Sequence, residues 1–366
     1  MNKRRTVKFL HTADWQFGYR QYGFQERELD FYAAGAQVVK AALDQKVDAV
    51  VIAGDMFEMQ KAPALAVRFA QELVSKLRNA GIKVYGIDGN HDAVDSNWLV
   101  VCGIQPLHFN QVELGGVRMV GLNAMRPSMF RQELQKLATA ITKPVDVLVI
   151  HQTLAEMAGF SRQELSALEM VPLLKEMGVR YVCMGDIHDY KETEIQGIRF
   201  VYSGDIERWK VDERPDKSVS IIEVTPDKVA TAMYPLITRM VVEHHLRKPE
   251  DLDTLLEAVN NAGDPLVVVW YEPQCRDLAK QAEAFLDGKE ILHRIAPLKG
   301  DQANIVERLA KQGLERKGAL SNLKGAVGAF FDESSEQNEI VFQLLEAPDN
   351  TSEIVKQYMQ SKGLAP

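Results

Sequence analysis

The chain has 366 residues, enough for one large domain together with one or two smaller ones. Hydrophobic residues make up 46% and charged residues 26%, and no stretch approaches the roughly 20 apolar residues of a membrane helix. The formal net charge of −8 argues against a simple basic surface for nucleic acid, although carboxylates clustered around a metal site would lower it in the same way. Three widely separated cysteines argue against a disulfide framework or a structural zinc site. The basic N-terminus lacks a signal-peptide core, so we expect an intracellular, cytoplasmic protein.

The first part of the chain alternates predicted strands and helices. Residues 28–44 carry apolar side chains at helical spacing, and residues 64–80 read as a second helix. Short apolar runs before, between and after these helices, at residues 7–11, 49–53 and 84–87, predict buried strands. This alternation indicates a layered α/β domain.

More strands than helices are predicted between residues 113 and 220. They cover residues 118–122, 145–150, 181–184, 199–203 and 219–224. This pattern favours a two-sheet β-sandwich flanked by helices, of the α/β or layered α+β class, over a single doubly wound sheet. We expect this domain to occupy residues 1–235.

A shift in pattern near residues 226–238 precedes a predicted small domain at residues 236–297. A strand at 240–244, a helix at 252–260 and a strand at 266–271 form a compact β-α-β unit. Beyond Pro297 the pattern weakens, with predicted helices at 303–312 and 354–361. We expect residues 298–366 to form a partner-binding segment, although amphipathic helices of this kind often only complete a core.

Five of the apolar runs stop on a residue of metal-ligand type. Two of them end in His151 and in Gly54-Asp55. The other three lead into Asp14 with Gln16, into Gly89-Asn90-His91-Asp92, and into Gly185-Asp186-Ile187-His188. Each ending alone also fits a turn or a near-core histidine. Five in order predict that a sheet delivers carboxylate, amide and imidazole groups to one edge.

These side chains suit two neighbouring divalent ions. The carboxylate of Asp55 can bridge two cations, and Asn90 offers a neutral carbonyl oxygen. His91 can approach a substrate oxygen as an acid or as a charge stabiliser, with Asp92 orienting its imidazole. Mixed nitrogen and oxygen ligands favour Mn²⁺ or a related ion. Two such ions about 4 Å apart clamp a phosphate and convert a bridging water to hydroxide, so the predicted reaction is phosphate-ester hydrolysis.

The order of these motifs is similar to that of calcineurin-like metallophosphoesterases. Within that family the sequences of the motifs resemble those of the SbcD-type nuclease subunit of the double-strand-break repair complex, in its phage, bacterial and eukaryotic forms. The motifs that carry the resemblance are HTADW at 11–15, GDMFE at 54–58, GNHD at 89–92 and YSGDIER at 202–208. The resemblance covers residues 6–225, and beyond them it rests on the general layout of a small DNA-contacting domain.

The resemblance implies a ligand set and a function. One ion would bind Asp14, Gln16, Asp55 and His188. The other would bind Asp55, Asn90, His151 and Asp186. His91 would act on the substrate phosphate or the leaving group. Members of this branch are Mn²⁺-dependent DNA exonucleases and endonucleases that form homodimers and pair with a large SMC-like coiled-coil ATPase, and Mg²⁺ is the alternative ion.

Two positions depart from the family pattern. The family usually has His at the position of Gln16, and Gly-His-x-His where this chain has Gly185-Asp186-Ile187-His188. We expect an altered metal preference or a weaker first site. Two other functions stay open: a phosphodiesterase of nucleotides or small phosphoesters, and a weakly active or non-catalytic DNA-binding scaffold.

Substrate contacts are expected from two groups of side chains. Arg208 and Lys210 lie in a basic stretch that continues to Lys217 and that could contact phosphates. Trp15 and Tyr19 lie in and after the first ligand motif and could stack on DNA ends. A solvated charged loop and ordinary packing are the alternatives for the two groups.

Overall fold

The computed structural model describes residues 6–92, 97–158 and 165–298. All of them belong to the first of two compact units, which spans Met1–Gly313. The second unit, Leu314–Pro366, lies outside the described residues, as do the helices predicted at 303–312 and 354–361. Among the described helices, none is long and apolar enough to span a membrane.

Fifteen strands and eight α-helices make up the described structure. The strands are β1 (Val7–Thr12), β2 (Ala49–Ala53), β3 (Lys83–Ile87), β4 (Gln105–Pro106), β5 (Val112–Leu114), β6 (Val117–Leu122), β7 (Val147–His151), β8 (Tyr181–Gly185), β9 (Lys191–Ile195), β10 (Ile198–Tyr202), β11 (Ser218–Val224), β12 (Val229–Pro235), β13 (Val241–Leu246), β14 (Leu266–Tyr271) and β15 (His293–Pro297). The helices are α1 (Gln25–Asp44), α2 (Ala64–Asn79), α3 (Trp98–Val101), α4 (Pro127–Ala140), α5 (Ala155–Ala158), α6 (Ala167–Met177), α7 (Glu250–Asn261) and α8 (Arg276–Gly288).

Two six-stranded sheets form the larger part of the fold, which confirms the predicted sandwich. The first has the order β12-β11-β1-β2-β3-β4 and the second β5-β6-β7-β8-β10-β9. Strands β1 to β4 run parallel to one another, as do β6, β7, β8 and β10. Antiparallel strands complete the edges of both sheets.

The core explains why the central strands read as unbroken apolar runs. Phe9 and Val51 of the first sheet share one buried cluster with Met119 and Val149 of the second. On its other face the second sheet packs against α4 and α6, for example through Phe130 of α4. Strands that are covered on both faces are apolar at every position rather than at alternate ones.

The last three strands form a separate small sheet. The predicted β-α-β element is present as β13, α7 and β14, and the chain continues through α8 into β15. All three strands are parallel, with the order β13-β14-β15. Both helices pack on this sheet around their own buried cluster, which includes Leu255 and Leu286. Leu266 and Val268 of β14 also pack with Phe24, just ahead of α1.

Candidate metal centre

The sheet topology brings the predicted ligands to one place. Asp14, Asp55 and Asn90 follow the carboxyl ends of the parallel strands β1, β2 and β3. His151 ends β7, and Asp186 follows the adjacent parallel strand β8. The two sheets meet here directly, because Nδ1 of His151 donates a hydrogen bond to the carbonyl oxygen of Ala53 at 2.7 Å.

His151 lies at the centre of the site. Its Nε2 atom is 2.9 Å from Oδ1 of Asn90 and 3.3 Å from Oδ2 of Asp55. Oδ1 of Asp186 and Oδ1 of Asp14 lie 3.9 and 4.0 Å from the same atom. Because Nδ1 already donates to a carbonyl, a neutral His151 presents a lone pair to these four oxygens. Such an arrangement requires a positive charge, which either a proton or a metal ion on Nε2 supplies.

The charges of the site also favour a bound cation. Asp14, Asp55 and His151 are all buried, and they offer ligand atoms within 4.8 Å of one another. Burial raises the pKa of Asp14 to about 6, although His151 and His188 oppose it. Burial lowers the pKa of His151, but Asp55, Asp14 and Asp186 together raise it to about 10. Negative charge is therefore concentrated where a divalent cation would neutralise it.

Backbone strain is concentrated at the same residues. Asp14, Gln16, Asp55 and Asp186 all adopt positive φ angles, of 53°, 49°, 50° and 94°. Residues other than glycine rarely adopt this conformation, and they keep it where the surrounding structure demands it. A side chain on Gly89 would collide with the carboxylate of Asp55, so the sharp turn after β3 requires glycine there. The backbone conformation at these residues therefore directs their side chains into the site.

Gln16 fits an ion-binding position despite its departure from the family pattern. The side chain is fully buried, and its Nε2 atom lies 3.5 Å from Oδ2 of Asp55. Its Oε1 atom is buried without a hydrogen-bond partner in the described part of the chain. A buried carbonyl oxygen without a partner is costly, and coordination of a cation would satisfy it. Oδ2 of Asp55 thus lies near both Gln16 and His151, which is the position expected of a carboxylate that bridges two ions.

Asp186 is also drawn into the site. Its backbone N–H donates to both carboxylate oxygens of Asp14, at 3.4 and 3.3 Å. Its own carboxylate accepts a hydrogen bond from the hydroxyl of Thr153 through Oδ2. The other oxygen, Oδ1, is the one that faces His151. This carboxylate can therefore take the ligand position that the resemblance assigns to it.

His188 is held by acidic residues that sequence reasoning did not single out. Its Nδ1 atom lies 2.9 Å from Oε1 of Glu213 and 3.5 Å from Oδ2 of Asp205. Burial lowers the pKa of His188, but the hydrogen bond to Glu213 and the charge of Asp205 raise it to about 9. The indole ring of Trp209 packs edge-on against the imidazole, with ring centroids 5.2 Å apart. Asp205 lies within the recognised motif at 202–208, so the sequence could have indicated it as a site residue. No motif includes Glu213 or Trp209.

The two catalytic predictions meet different outcomes. His91 lies beside Asp55, since its backbone N–H donates to Oδ1 of Asp55 at 2.9 Å. The expectation that Asp92 orients its imidazole is wrong in this geometry, because Nδ1 of His91 donates to the carbonyl oxygen of Glu58 at 2.7 Å. The buried carboxylate of Asp92 accepts instead from the backbone N–H groups of three residues. These residues are Met56, Phe57 and Gly89, at 3.3, 3.1 and 2.9 Å. Asp92 therefore shapes the turns that carry the site.

A cavity of about 500 Å³ opens beside the ligands. Its lining is Asp55, Asn90, His91, Ala158, Asp186, Ile187, His188, Asp189, Lys191, Trp209, Lys210, Asp212 and Glu213. It is therefore lined by candidate metal-binding residues, by the candidate acid His91 and by two lysines. This is enough room for a phosphate and part of its ester group.

The predicted substrate contacts are corrected in part. Trp15 is fully buried and its Nε1 atom donates to Oγ1 of Thr12 at 2.9 Å, so it cannot stack on a substrate. Arg208 is only 7% exposed, and its carbonyl oxygen accepts a hydrogen bond from Arg27, so its predicted place in an exposed basic loop is wrong. Tyr19 is half-buried and packs on Phe31 and Trp209.

Two lysines of the same basic stretch differ in their exposure to solvent. Lys210 is exposed at the cavity, with Nζ 4.9 Å from the centre of the Trp209 ring, and it keeps its predicted position for a phosphate contact. Lys217 is buried and forms ion pairs with Asp205 and Glu213. The basic stretch is therefore split between a structural lysine and a lysine that faces the cavity.

The two-sheet fold and these ligands define a metal-dependent phosphoesterase. The calcineurin-like phosphoesterase superfamily domain matches residues 30–227, which is more than half of the chain. The chain belongs to that superfamily.

Several of its relatives carry the name "DNA double-strand break repair protein Mre11". The protein from Haloferax volcanii is 30% identical over 274 residues, which cover 72% of this chain and 60% of that one. The protein from Methanosarcina mazei is 27% identical over 251 residues, covering 64% and 39%. The chain thus spans less than two thirds of the length of these relatives. A dimetal phosphatase from Danio rerio, 13% identical over 62% of this chain and 95% of its own, superposes with a TM-score of 0.46, too low to add to the argument.

Proposed function

We propose that this chain is a metal-dependent DNA phosphodiesterase, an exonuclease or endonuclease that acts in DNA repair or recombination. The observation that carries the proposal is the environment of His151, whose Nε2 atom faces Asn90 and three carboxylates and needs a positive charge that a metal ion can supply. The relatives named for DNA double-strand break repair support DNA as the substrate.

The donors suit two ions on either side of Asp55. Asp14, Gln16 and His188 would complete one site, and Asn90, His151 and Asp186 the other. Oxygen donors with one imidazole in each set favour Mn²⁺, with Mg²⁺ as the alternative. When bound, such ions activate a water near neutral pH and offset the charge of the phosphate.

The residues around the cavity supply position and proton transfer. His91 donates through Nδ1 to the carbonyl of Glu58, which leaves Nε2 as the atom available to a substrate oxygen. In its protonated form this imidazole can give a proton to the leaving oxygen. Lys210 and Lys191 line the same cavity, and their ammonium groups can contact backbone phosphates of the substrate.

The proposal extends to partners. By resemblance to SbcD-type subunits, we infer that the chain forms a homodimer and pairs with an SMC-like coiled-coil ATPase. The β13–β15 unit supports a polymeric substrate, because a small phosphoester gives no evident need for an additional three-stranded sheet.

End-labelled duplex and single-stranded DNA, incubated with Mn²⁺, Mg²⁺ or EDTA, test the function. We expect cleavage that requires the metal and that is lost in Asp55→Ala. Glu194→Gln, an exposed substitution on β9, is the matched control and should cleave normally. Hydrolysis of a chromogenic diester without any DNA cleavage would favour the small-phosphoester alternative. Metal-independent DNA binding without cleavage, also after addition of the ATPase, would favour a scaffold.

A further inference from the structure

Four buried or half-buried groups lie around Nδ1 and the backbone carbonyl of His188. They are Asp205, Glu213, Lys217 and the backbone of Trp209, and we call them the His188 support. Asp205 and Glu213 form, together with His188, the second group of acidic and histidine side chains whose ligand-type atoms lie within 4.8 Å of one another in the described structure. The predicted ligand sets include His188 but give Asp205 and Glu213 no role.

The His188 support is not a third ion site. Nζ of Lys217 lies 2.5 Å from Oδ1 of Asp205 and 3.0 Å from Oε2 of Glu213. It also donates to the carbonyl oxygen of His188 at 3.2 Å. The Lys217 side chain is 2% exposed, and its ammonium group occupies the place between the two carboxylates that a metal ion would need. The cluster already holds its cation.

Glu213 is fixed by what its two oxygens accept. Oε2 accepts from the backbone N–H of Trp209 at 2.9 Å and from Lys217, and both of these groups can only donate. Oε1 faces Nδ1 of His188 at 2.9 Å. A carboxylate can only accept, so Nδ1 of His188 carries the hydrogen, and in the neutral ring Nε2 keeps its lone pair.

We propose that Glu213 is a positioning residue that sets the tautomer of His188 and so makes its Nε2 atom a metal ligand. The proposal rests on the proposed function, because it takes His188 as a ligand of the ion shared with Asp14, Gln16 and Asp55. Lys217 and the N–H of Trp209 hold the carboxylate in place, and the Trp209 ring fixes the plane of the imidazole. Partners of this kind commonly raise the basicity of a metal-binding imidazole and orient it.

The substitution Glu213→Gln separates this role from simple packing. The amide oxygen must face Lys217 and the Trp209 N–H, because an NH₂ group there would oppose two donors. The NH₂ group must then face Nδ1 of His188, which favours the tautomer with the hydrogen on Nε2 against the longer contact of 3.5 Å from Nδ1 to Oδ2 of Asp205. The near-isosteric Glu213→Gln thus places a hydrogen on Nε2, the predicted ligand atom of His188. Glu213→Ala removes the carboxylate and does not impose this tautomer.

Calorimetric titration of Mn²⁺ into wild type, Glu213→Gln, Glu213→Ala and Glu194→Gln tests the proposal. We expect two bound ions in wild type, a loss of affinity for one of them of about tenfold in Glu213→Ala, and a larger loss of about a hundredfold in Glu213→Gln. Glu194→Gln should match wild type. DNA cleavage at saturating Mn²⁺ should recover in Glu213→Ala, with a raised metal requirement.

Three results would overturn the inference. Equal affinities in Glu213→Gln and wild type would show that Glu213 has no part in metal binding. A weaker effect in Glu213→Gln than in Glu213→Ala, with both variants folded by thermal unfolding, would show that Glu213 acts through packing. Failure of wild type itself to bind two ions would refute the proposed function, and the inference with it.

Discussion

Asp30 is at the centre of a buried ion network between α1 and the three-stranded unit. Its carboxylate accepts from Arg27 Nη1 at 2.5 Å and from Nε and Nη2 of Arg239 at 2.6 and 3.0 Å. Arg27 also lies 3.1 Å from Oε1 of Glu207, so two guanidinium groups are balanced by two carboxylates. None of these four side chains is more than 6% exposed. Arg239 reaches further, to Oδ2 of Asp264 at 2.8 Å.

The substitution Asp30→Asn keeps the size of the side chain and removes its charge. Two buried guanidinium groups would then share one buried carboxylate, and charge-assisted hydrogen bonds would be lost. Breaking a buried ion pair by removing one partner costs about 3–5 kcal/mol in the free energy of unfolding. Adding Arg239→Gln restores the balance of charge, so the double variant should lose less than the sum of the two single variants.

Urea unfolding, followed by circular dichroism and by tryptophan fluorescence, measures this cost. Asp44→Asn, which removes one half of an exposed pair with Lys40, is the control and should unfold near the wild-type midpoint. A change of less than about 1 kcal/mol in Asp30→Asn would refute the reasoning, because it would show that the network is solvated rather than buried.

Three further predictions follow from the site and its surroundings. Gly89→Ala should lower diester hydrolysis by about a hundredfold by displacing Asp55, with Gly288→Ala, which has open space, as the control. Gln16→His should raise Mn²⁺ affinity in calorimetry, and unchanged affinity would refute a weakened first site. Burial lowers the pKa of His11 to about 3, against a hydrogen bond to the Met184 carbonyl that raises it. As the pH falls, the unfolded chain therefore binds a proton at His11 at a higher pH than the folded chain does. Below about pH 6.5, the free energy of unfolding of wild type should fall by about 1.4 kcal/mol per pH unit relative to that of His11→Gln. Parallel pH profiles of urea unfolding would contradict this.

The central strands and their polar endings could be predicted because burial and topology act together. Strands such as Ala49–Ala53 are apolar at every position, and the carboxyl ends of parallel strands converge. Edge strands gave no such signal. Lys191–Ile195 alternates half-buried and exposed residues, and every residue of Val229–Pro235 is half-buried or exposed, so neither strand resembles a core strand.

The misassigned residues depend on tertiary contacts that spacing does not encode. Trp15 follows a ligand and looks available to substrate, but the chain turns it into the core beside Phe17. Arg208 and Lys217 look like parts of a solvated basic loop, although both are buried. Glu213 lies 25 positions from His188, and its role becomes visible only when the chain brings the two side chains together.

Anomalous diffraction from crystals soaked in Mn²⁺ tests the central claim most directly. The account predicts two manganese peaks about 4 Å apart, one on each side of Asp55. One should lie within reach of Asp14, Gln16 and His188, and the other within reach of Asn90, His151 and Asp186. A single peak, or peaks away from the Asp55 carboxylate, would contradict the two-ion site and the hydrolysis proposed for it.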